Sequence, residues 1–246
     1  MIRPLSGRIA LVTGASRGIG YATALALAQA GAHIVAVART QGGLEELDDE
    51  IRKAAGTTTG GATLVPLDLK DRDGIARLGA ALHERFGRLD ILVANAGVLG
   101  PLSPLSHVEP KAWDEVVAVN VSANWQLIRC MEPLLQQSEA GRAVFLTSNA
   151  AHAATAYWGP YAISKAALDM MARTWAAENA TTTLKINLFD PGPTRTRMRE
   201  AAFPGEDPQT LPTAETVAEK ILPLCRPDFM QSGTLYSFRE GRFLDA

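Results

Sequence analysis

Short apolar runs alternate with longer segments rich in Ala and Leu along the 246 residues of the chain. The apolar runs show little internal alternation, which is typical of strands covered by helices on both faces of a parallel sheet. The pattern predicts strands at Ile9–Thr13, Ile34–Ala38, Thr63–Leu67, Ile91–Ala94, Ala143–Thr147 and Lys185–Phe189, with a last one within Ser232–Phe238. It predicts helices at Tyr21–Ala30, Gly43–Ala54, around Leu78, and over Val117–Leu135 and Ala166–Ala177.

Strand and helix alternate through six or seven rounds, which predicts right-handed crossovers and an α/β fold. We expect one doubly wound parallel sheet of about seven strands, with helices on both faces, in a single domain over residues 1–246. A stretch with Pro and acidic residues, Phe203–Pro212, is the least regular part. It is either a simple surface connection or a mobile flap. In the second case, we expect a flap over the substrate that spans about residues 194–212.

Composition narrows the class of protein. The formal net charge is -2, and Lys and Arg occur singly, so neither nucleic acid nor a membrane surface is an expected partner. The two cysteines, Cys130 and Cys225, lie outside any metal-binding or disulfide pattern and are expected to be buried thiols. Met1–Gly7 lacks the apolar run of a signal peptide, and no apolar stretch approaches the ~18–20 residues that cross a bilayer. A cytoplasmic location is therefore expected.

A glycine-rich segment follows the first strand and leads directly into the first helix. Glycines at this point let the chain turn sharply and let the backbone approach a pyrophosphate at the helix N-terminus. Glycine clusters also mark ordinary turns, but the position between strand and helix favours a dinucleotide site. The candidate cofactor-binding residues here are Gly14, Ser16, Arg17, Gly18, Ile19 and Gly20.

The spacing Gly-x-x-x-Gly-x-Gly resembles that of the short-chain dehydrogenase/reductase (SDR) family, whose fold is Rossmann-like. The end of the second strand usually carries the residue that reads the ribose: an acid for NAD(H) or a base for the 2′-phosphate of NADP(H). Here the strand ends in Arg39 and Thr40, and Arg17 could approach the same phosphate. The resemblance thus implies NADP(H) as the preferred cofactor, with NAD(H) possible; the alternative is two solvated arginines.

Tyr161 and Lys165 are four residues apart in a predicted helix, so they lie on one face about one turn apart. A lysine ammonium within ~4–6 Å of a tyrosine can lower its pKa by ~1–3 units, which would make Tyr161 a general acid and base near neutral pH. Ser148, after the fifth strand, and Asn120, in the preceding helix, complete an order and spacing that match the family's catalytic tetrad. By resemblance, Ser148 orients the substrate oxygen and Asn120 holds a water for proton relay.

The resemblance implies further cofactor contacts. Tyr161 and Lys165 should also lie against the cofactor, Lys165 through the nicotinamide ribose, and Asp68 should meet the adenine unless it merely caps the next helix. Asp190 is either a turn residue or a polar neighbour of the site, and the sequence favours neither. The other residues implied to contact the cofactor are Leu69, Asn95, Ala96, Gly97, Pro191, Gly192, Thr194 and Thr196.

These features predict an NADP(H)-dependent oxidoreductase that interconverts a carbonyl and a secondary alcohol on a small molecule, without a metal. The resemblance also implies a homodimer or homotetramer that associates through the helix over Val117–Leu135 and the one after Tyr161. One alternative is a dinucleotide sensor or scaffold on the same fold. Another is a nucleotide-sugar epimerase or dehydratase, but few residues follow Lys165 from which to build a separate substrate domain.

Overall fold

The computed structural model describes residues 3–55 and 61–244. Their strands form one sheet in the order β3-β2-β1-β4-β5-β6-β7-β8, so the chain winds outward in both directions from β1 and β4. All neighbouring pairs are parallel except β7 and β8. The strands are β1 (Ile9–Thr13), β2 (His33–Ala38), β3 (Ala62–Pro66), β4 (Ile91–Ala94), β5 (Arg142–Leu146), β6 (Lys185–Asp190), β7 (Leu235–Ser237) and β8 (Arg242–Leu244).

Helices cover both faces of this sheet. They are α1 (Gly18–Gln29), α2 (Gln41–Ala55), α3 (Arg72–Phe86), α4 (Pro110–Val117), α5 (Ala123–Gln136), α6 (Gly159–Glu178), α7 (Arg197–Ala202) and α8 (Ala214–Ile221). Among the described residues, none of the helices is both long and apolar enough to span a membrane.

Successive residues of each strand point to opposite faces, and this alternation divides the core in two. In β1, Leu11 packs with buried residues of α3, α5 and α6, whereas Ala10 and Val12 pack with those of α1, α2 and α8. Because both faces are covered, every residue of β1, β4 and β5 is buried. The predicted doubly wound α/β fold is confirmed.

The structure adds an eighth, antiparallel strand at the C-terminal edge to the about seven strands predicted. After β7 the chain turns back through Gly241, whose φ of 66° is left-handed, and forms β8 antiparallel to β7. The Gly241 N–H donates to the Ser237 carbonyl at 2.9 Å and closes the turn. The Arg-Glu-Gly sequence at 239–241 thus encodes a hairpin, which the pattern of apolar runs did not reveal.

The single helix predicted over Val117–Leu135 was also wrong. The structure has α4 and α5 joined by a π-helical turn at Ala118–Ser122. At the end of this turn the Ala123 N–H donates to the Ala118 carbonyl, five residues back. A π-turn shifts the side chains that follow it and frees a backbone carbonyl, which is why such turns occur at functional sites. Asn120 lies inside it.

A polar network closes the sheet at the end where its strands begin. Buried Asp90 accepts hydrogen bonds from the Ile9 N–H at 2.9 Å and the Ser138 hydroxyl at 2.5 Å. The Arg142 guanidinium, which is 2% exposed, donates to four backbone carbonyls, those of Gly141, Thr183, Arg226 and Pro227. Burial lowers the pKa of Arg142, but these carbonyls satisfy its donors. This network joins β4, β5 and the segments beside β6.

The segment near 194–212 is folded rather than irregular. It contains α7 and a 3-10 turn at Pro208–Thr210. The Arg195 N–H donates to the Pro212 carbonyl at 3.0 Å, and its Nε donates to the Pro208 carbonyl at 2.8 Å, so the two ends of the excursion are tied together. Within it, the Arg199 guanidinium and the Glu206 carboxylate form a two-point ion pair with N–O distances of 2.6 Å.

Candidate active site

The glycine-rich loop is pressed against the end of β4. Gly14 has a φ of 67°, and a Cβ on it would lie 2.7 Å from Asn95 Nδ2. Gly18, with a φ of 57°, lies close to Thr196, whose methyl group would be 3.5 Å from a Cβ at Gly18. A side chain at Gly14 or Gly20 would collide with Asn95. Gly14 and Gly20 therefore let the loop pack directly against Asn95, whereas a Cβ at Gly18 would meet only the Thr196 methyl group at ordinary contact distance.

Asn95 holds the loop in this place. Its Nδ2 donates to the Thr13 carbonyl at 2.9 Å, and its N–H donates to the Thr13 hydroxyl at 3.0 Å. The Ala96 N–H donates to the same hydroxyl, also at 3.0 Å. Thr13 was not among the predicted site residues, although its position before Gly14 makes it the natural acceptor for the neighbouring strand.

Two arginines lie at the entrance to this loop. Arg17 and Arg39 are exposed, and the neighbouring hydroxyls of Ser16 and Thr40 lie 3.2 Å apart, which joins the loop to the end of β2. Among residues 3–55 and 61–244, the side chain of neither arginine has a hydrogen-bond or ion-pair partner. Arg17 also precedes the first residue of α1, and no side chain caps the free N–H groups there. The positive charge and the unpaired donors face the same corner.

Asn120 is fully buried in the π-turn and ties three segments together. Its Oδ1 accepts from the Val98 N–H, and its Nδ2 donates to the Val98 carbonyl and to the Ser164 hydroxyl, each at 2.9 Å. The Ser164 hydroxyl in turn donates to the Tyr161 carbonyl at 2.7 Å. The side chain of Asn120 thus connects the loop after β4 to the backbone of the tyrosine. Its backbone carbonyl accepts from Asn124 Nδ2 at 2.8 Å.

Tyr161 lies in the first turn of α6, with its ring edge against Trp158 at 6.0 Å between centroids. Burial raises the pKa of Tyr161 to about 12. The buried Asp190 acts in the same direction, and the neighbouring Ser148 hydroxyl opposes both by favouring the phenolate. The expected lowering by Lys165 was wrong for this arrangement of side chains, because the lysine turns toward the sheet.

Lys165 is 4% exposed, and its Nζ donates to the Leu146 carbonyl at 2.6 Å. The same nitrogen lies 5.7 Å from the centre of the Tyr161 ring. A Cβ on Gly97 would lie 3.7 Å from Nζ and 3.4 Å from Asn120 Oδ1, so Gly97 leaves open space between them. Burial lowers the pKa of Lys165 to about 8.

Three further titratable residues surround Lys165. Asp169 lies one turn further along α6, accepts a hydrogen bond from the Thr147 hydroxyl, and has its Oδ2 3.0 Å from His152 Nε2. Asp190 ends β6 and accepts from the N–H groups of Gly192, at 2.9 Å, and Asn149. Burial raises the pKa of both carboxyls. Asp190 is thus both a turn residue and a polar neighbour of the site.

The loop after β6 lies opposite the glycine-rich loop. Gly192 has a φ of 60°, and the buried Thr194 donates its hydroxyl hydrogen to the carbonyls of Pro191 or Gly192 at 3.2 and 3.3 Å. Thr196 caps α7 by accepting from the Arg199 N–H at 3.2 Å. Both threonines are therefore held by their own loop, with the Thr196 methyl group toward Gly18.

Aromatic contacts connect α7 to the tyrosine. The rings of Phe203 and Trp158 lie 5.8 Å apart, and Trp158 contacts Tyr161. The Arg199 guanidinium stacks over Phe203 at 3.7 Å. A cavity of about 370 Å³ within this segment is lined by Thr196, Phe203 and neighbouring residues of α7.

The remaining predicted cofactor residues, Asp68 and Leu69, follow β3. Asp68 forms an ion pair with Lys70 at 3.7 Å, and Leu69 is buried beneath it. The alternative that Asp68 caps the next helix was wrong, since Asp71 caps α3 through the Gly74 N–H at 2.8 Å. Cys225 is buried and Cys130 half-buried; both are free. The described residues contain no cluster of three or more His, Cys, Asp or Glu side chains suited to a metal ion.

Comparison with known proteins is consistent with this geometry. The family model of the short chain dehydrogenases matches residues 8–207. The chain belongs to the short chain dehydrogenase family. The uncharacterized oxidoreductase YciK of Escherichia coli strain K12 is 36% identical over 239 residues, which cover 97% of this chain and 94% of YciK.

Solved short chain dehydrogenases share the whole fold. The Escherichia coli CFT073 protein crystallised with NADPH is 34% identical, with a TM-score of 0.90 over 96% of this chain and 98% of that one. The Shigella flexneri 2a strain 301 protein crystallised with NADP is also 34% identical, with a TM-score of 0.90 over 96% and 99%. This short chain dehydrogenase is therefore an oxidoreductase of the SDR type.

The predicted tetrad residues come together in this short chain dehydrogenase, although the sequence did not reveal every residue around them. Ser164 links Asn120 to Tyr161, and Asp169 and His152 form a pair beside Lys165. A signal for Asp169 exists in hindsight, because a carboxylate four residues after a lysine lies on the same helix face. His152 carries no such signal, because a loop brings it to Asp169.

Proposed function

We propose that this SDR enzyme interconverts a carbonyl and a secondary alcohol on a small molecule, with NADP(H) as its preferred cofactor and Tyr161 as the general acid and base. The observation that carries the proposal is the position of Ser148 beside Tyr161 at the carboxyl edge of the sheet, with buried Lys165 one helical turn away. Open α/β sheets place their ligands at this edge.

The proposed roles follow from the positions of the side chains. Ser148 and Tyr161 would both donate hydrogen bonds to the substrate oxygen, and Tyr161 would give it a proton during reduction. The raised pKa of the buried Tyr161, about 12, favours holding that proton until a stronger base is created at the substrate. Lys165 would replace it from the buried side, and Asn120 would hold the loop and helix in register. A nicotinamide bound along this edge would supply or accept the hydride.

The residues present fit an NADP(H) molecule. Gly18 presents no side chain where the pyrophosphate would lie, Gly14 and Gly20 let the loop pack against Asn95, and α1 begins there without a capping side chain. Arg17 and Arg39 are exposed cations without carboxylate partners among the described residues, as a 2′-phosphate requires. The solved relatives bound to NADPH and NADP support the same cofactor.

Turnover tests the proposed reaction. NADPH consumption would be followed against ketones, aldehydes, quinones and 3-oxoacyl thioesters, with Tyr161→Phe as the test variant and Tyr21→Phe, which faces α2, as the matched control. We expect turnover in the native protein and the control, and its loss in Tyr161→Phe with NADPH binding retained. Tight NADPH binding without turnover of any substrate would instead favour a dinucleotide sensor.

Cofactor choice is tested separately. Arg39→Gln is expected to weaken NADPH binding by about ten-fold or more while leaving NADH binding nearly unchanged, because one charge-assisted hydrogen bond to a phosphate contributes about 1.5–3 kcal/mol. Arg52→Gln, at the far end of α2, is the control. A native preference for NADH would overturn the role given to Arg17 and Arg39.

Association through α5 and α6 is part of the proposal. These helices expose Trp125, Ile163 and Met170, and the SDR resemblance implies a homodimer or homotetramer at this face. Light scattering should give twice or four times the chain mass of 26.2 kDa; Met170→Glu should lower it. We also propose a cytoplasmic location, which fractionation of the native host would test.

A further inference from the structure

The proposed reaction does not explain how the buried Lys165 keeps its positive charge. Lys165 must remain an ammonium to replace the proton of Tyr161, yet it is 4% exposed and its one hydrogen-bond partner among the described residues is the Leu146 carbonyl. Burial of a charge without a counter-charge is strongly unfavourable, and a buried lysine tends to become neutral. The tetrad itself contains no carboxylate.

Two buried carboxylates, those of Asp169 and Asp190, lie near enough to Lys165 to act on its charge. Asp169 follows Lys165 by four residues on α6, which places the two side chains on one helix face. Asp190 ends β6, the strand next to β5, and the pairing of Leu146 with Phe189 brings it level with Thr147. Both carboxyls are nearly fully buried, at 4% and 7% exposed.

Each carboxylate is fixed by hydrogen bonds that leave its negative charge in place. Thr147 follows Leu146, the last residue of β5, so two consecutive residues hold Lys165 by a carbonyl and Asp169 by a hydroxyl. The N–H groups of Gly192 and Asn149 hold Asp190. Donors of this kind favour the ionised carboxylate, although burial opposes it.

We propose that Asp169 and Asp190 are positioning residues that keep Lys165 charged, and that His152 at the surface controls how much of the charge of Asp169 reaches Lys165. This inference rests on the proposed function, because it gives the carboxylates a task at the same site. His152 is about half exposed, and its Nε2 lies 3.0 Å from Asp169 Oδ2. A neutral imidazole leaves the carboxylate charge to Lys165, whereas a fixed cation at this position would neutralise it.

The titratable and polar groups around Lys165 come from several elements. Tyr161 and Asp169 lie on α6, Asp190 at the end of β6 and the neutral Asn120 in the π-turn. His152, in the loop after β5, and Arg173, one turn beyond Asp169, act on Asp169. Asp169 and Asp190 both raise the pKa of Lys165 against the effect of burial, and Asp169 contributes more.

The charge of Lys165 can be observed without turnover. The chain has six lysines, and the ¹³Cε resonance of each in labelled, full-length protein reports its protonation; Lys165→Met assigns the resonance of interest. The titration midpoint of Lys165 would be compared in the native protein, Asp169→Asn, Asp190→Asn and His152→Arg. His152→Gln is the matched control, because it changes the side chain without adding a charge.

We expect the midpoint of Lys165 to fall by about 1 pH unit in Asp169→Asn, and to fall in Asp190→Asn and His152→Arg, because each change removes or neutralises one nearby negative charge. His152→Gln should stay near the native value. If Asp169→Asn does not fold, His152→Arg still decides, because its side chain has access to solvent. The proposal would be overturned if the titration midpoint of Lys165 kept its native value in His152→Arg and in every aspartate variant that folds.

Activity provides a second, separable reading. In a working reductase, the alkaline limb of the kcat profile should move to lower pH in the same variants, with little change in KM. If the NMR midpoints move as expected but no substrate turns over, the proposed function fails and the role of the carboxylates stands. If turnover is normal and the midpoints do not move, the reverse holds.

Discussion

Replacing Asn120 by Ala separates the structural part of the site from its chemistry. The side chain is fully buried and satisfies both the N–H and the carbonyl of Val98. Each buried polar group left without a partner costs about 1–3 kcal/mol, so we expect the free energy of unfolding to fall by about 2–5 kcal/mol. A domain of ordinary stability, ~5–15 kcal/mol, would remain largely folded at 25 °C.

A matched control exists elsewhere in the sheet. Asn187 is 1% exposed and also makes three hydrogen bonds, to Gln231 and Thr234 between β6 and β7. Asn187→Ala should lose a similar amount of stability, measured by urea unfolding, but keep the kcat of its folded fraction. Asn120→Ala should also lose kcat, on the order of 10²-fold, because Ser164 and with it Tyr161 lose a fixed support.

Two results would refute this reasoning. A loss of stability below about 1 kcal/mol in Asn120→Ala would mean that water or a shifted backbone replaces its hydrogen bonds. An equal loss of kcat in the two variants would mean that loosening the sheet anywhere disturbs Tyr161, and that the connection through Ser164 has no special role.

Three further changes test other parts of the structure. Gly14→Ala should weaken NADPH binding at least ten-fold and destabilise the protein by about 1–3 kcal/mol, because its Cβ would lie 2.7 Å from Asn95 Nδ2 at a φ of 67°. Calorimetry measures the NADPH affinity and urea unfolding the stability, with Gly205→Ala as the control. Arg142→Met should lower the free energy of unfolding by about 3 kcal/mol or more, since four carbonyls lose a donor; an unchanged urea midpoint would contradict this. Lys165→Met should abolish turnover and remove the change of stability between about pH 8 and 10.5, and unfolding curves at pH 7 and pH 10 check it.

The sign of the Lys165 prediction follows from linkage. Its pKa is about 8 in the folded protein and 10.5 as the ordinary value, so the unfolded chain binds more protons between these limits. Stability should therefore rise with pH from about 8 to 10.5, by up to about 3 kcal/mol. Lys165→Met removes that rise. A native protein whose stability falls over this range, after subtraction of the Met variant, would contradict the lowered pKa.

Much of the fold could be predicted because its signals are local. Buried strands such as Ile91–Ala94 are continuous apolar runs, and the glycines of the first loop must adopt backbone angles that other residues avoid. The Tyr161–Lys165 spacing is equally local, since a helix turn fixes it. For these features the sequence neighbours are also the spatial neighbours.

The remaining features depend on contacts between distant segments. The π-turn at Asn120 follows from its side chain bonding to Val98 and Ser164, which no period in the sequence records. The raised pKa of Tyr161 and the lowered pKa of Lys165 result from burial, which outweighs the attraction expected between neighbours on a helix. The pairing of His152 with Asp169 likewise needs the loop to fold back on α6.

The polar network around Arg142 has a practical meaning for redesign of this scaffold. Arg142 begins β5 and Thr147 follows its end, so the cross-links near Arg142 lie roughly 17 Å from the residues that hold the proton machinery. Substitutions in the segments that cover Tyr161, including 194–212, leave those cross-links untouched. In libraries that vary these segments to accept new substrates, the cross-links at the other end of the strands should therefore continue to stabilise the fold.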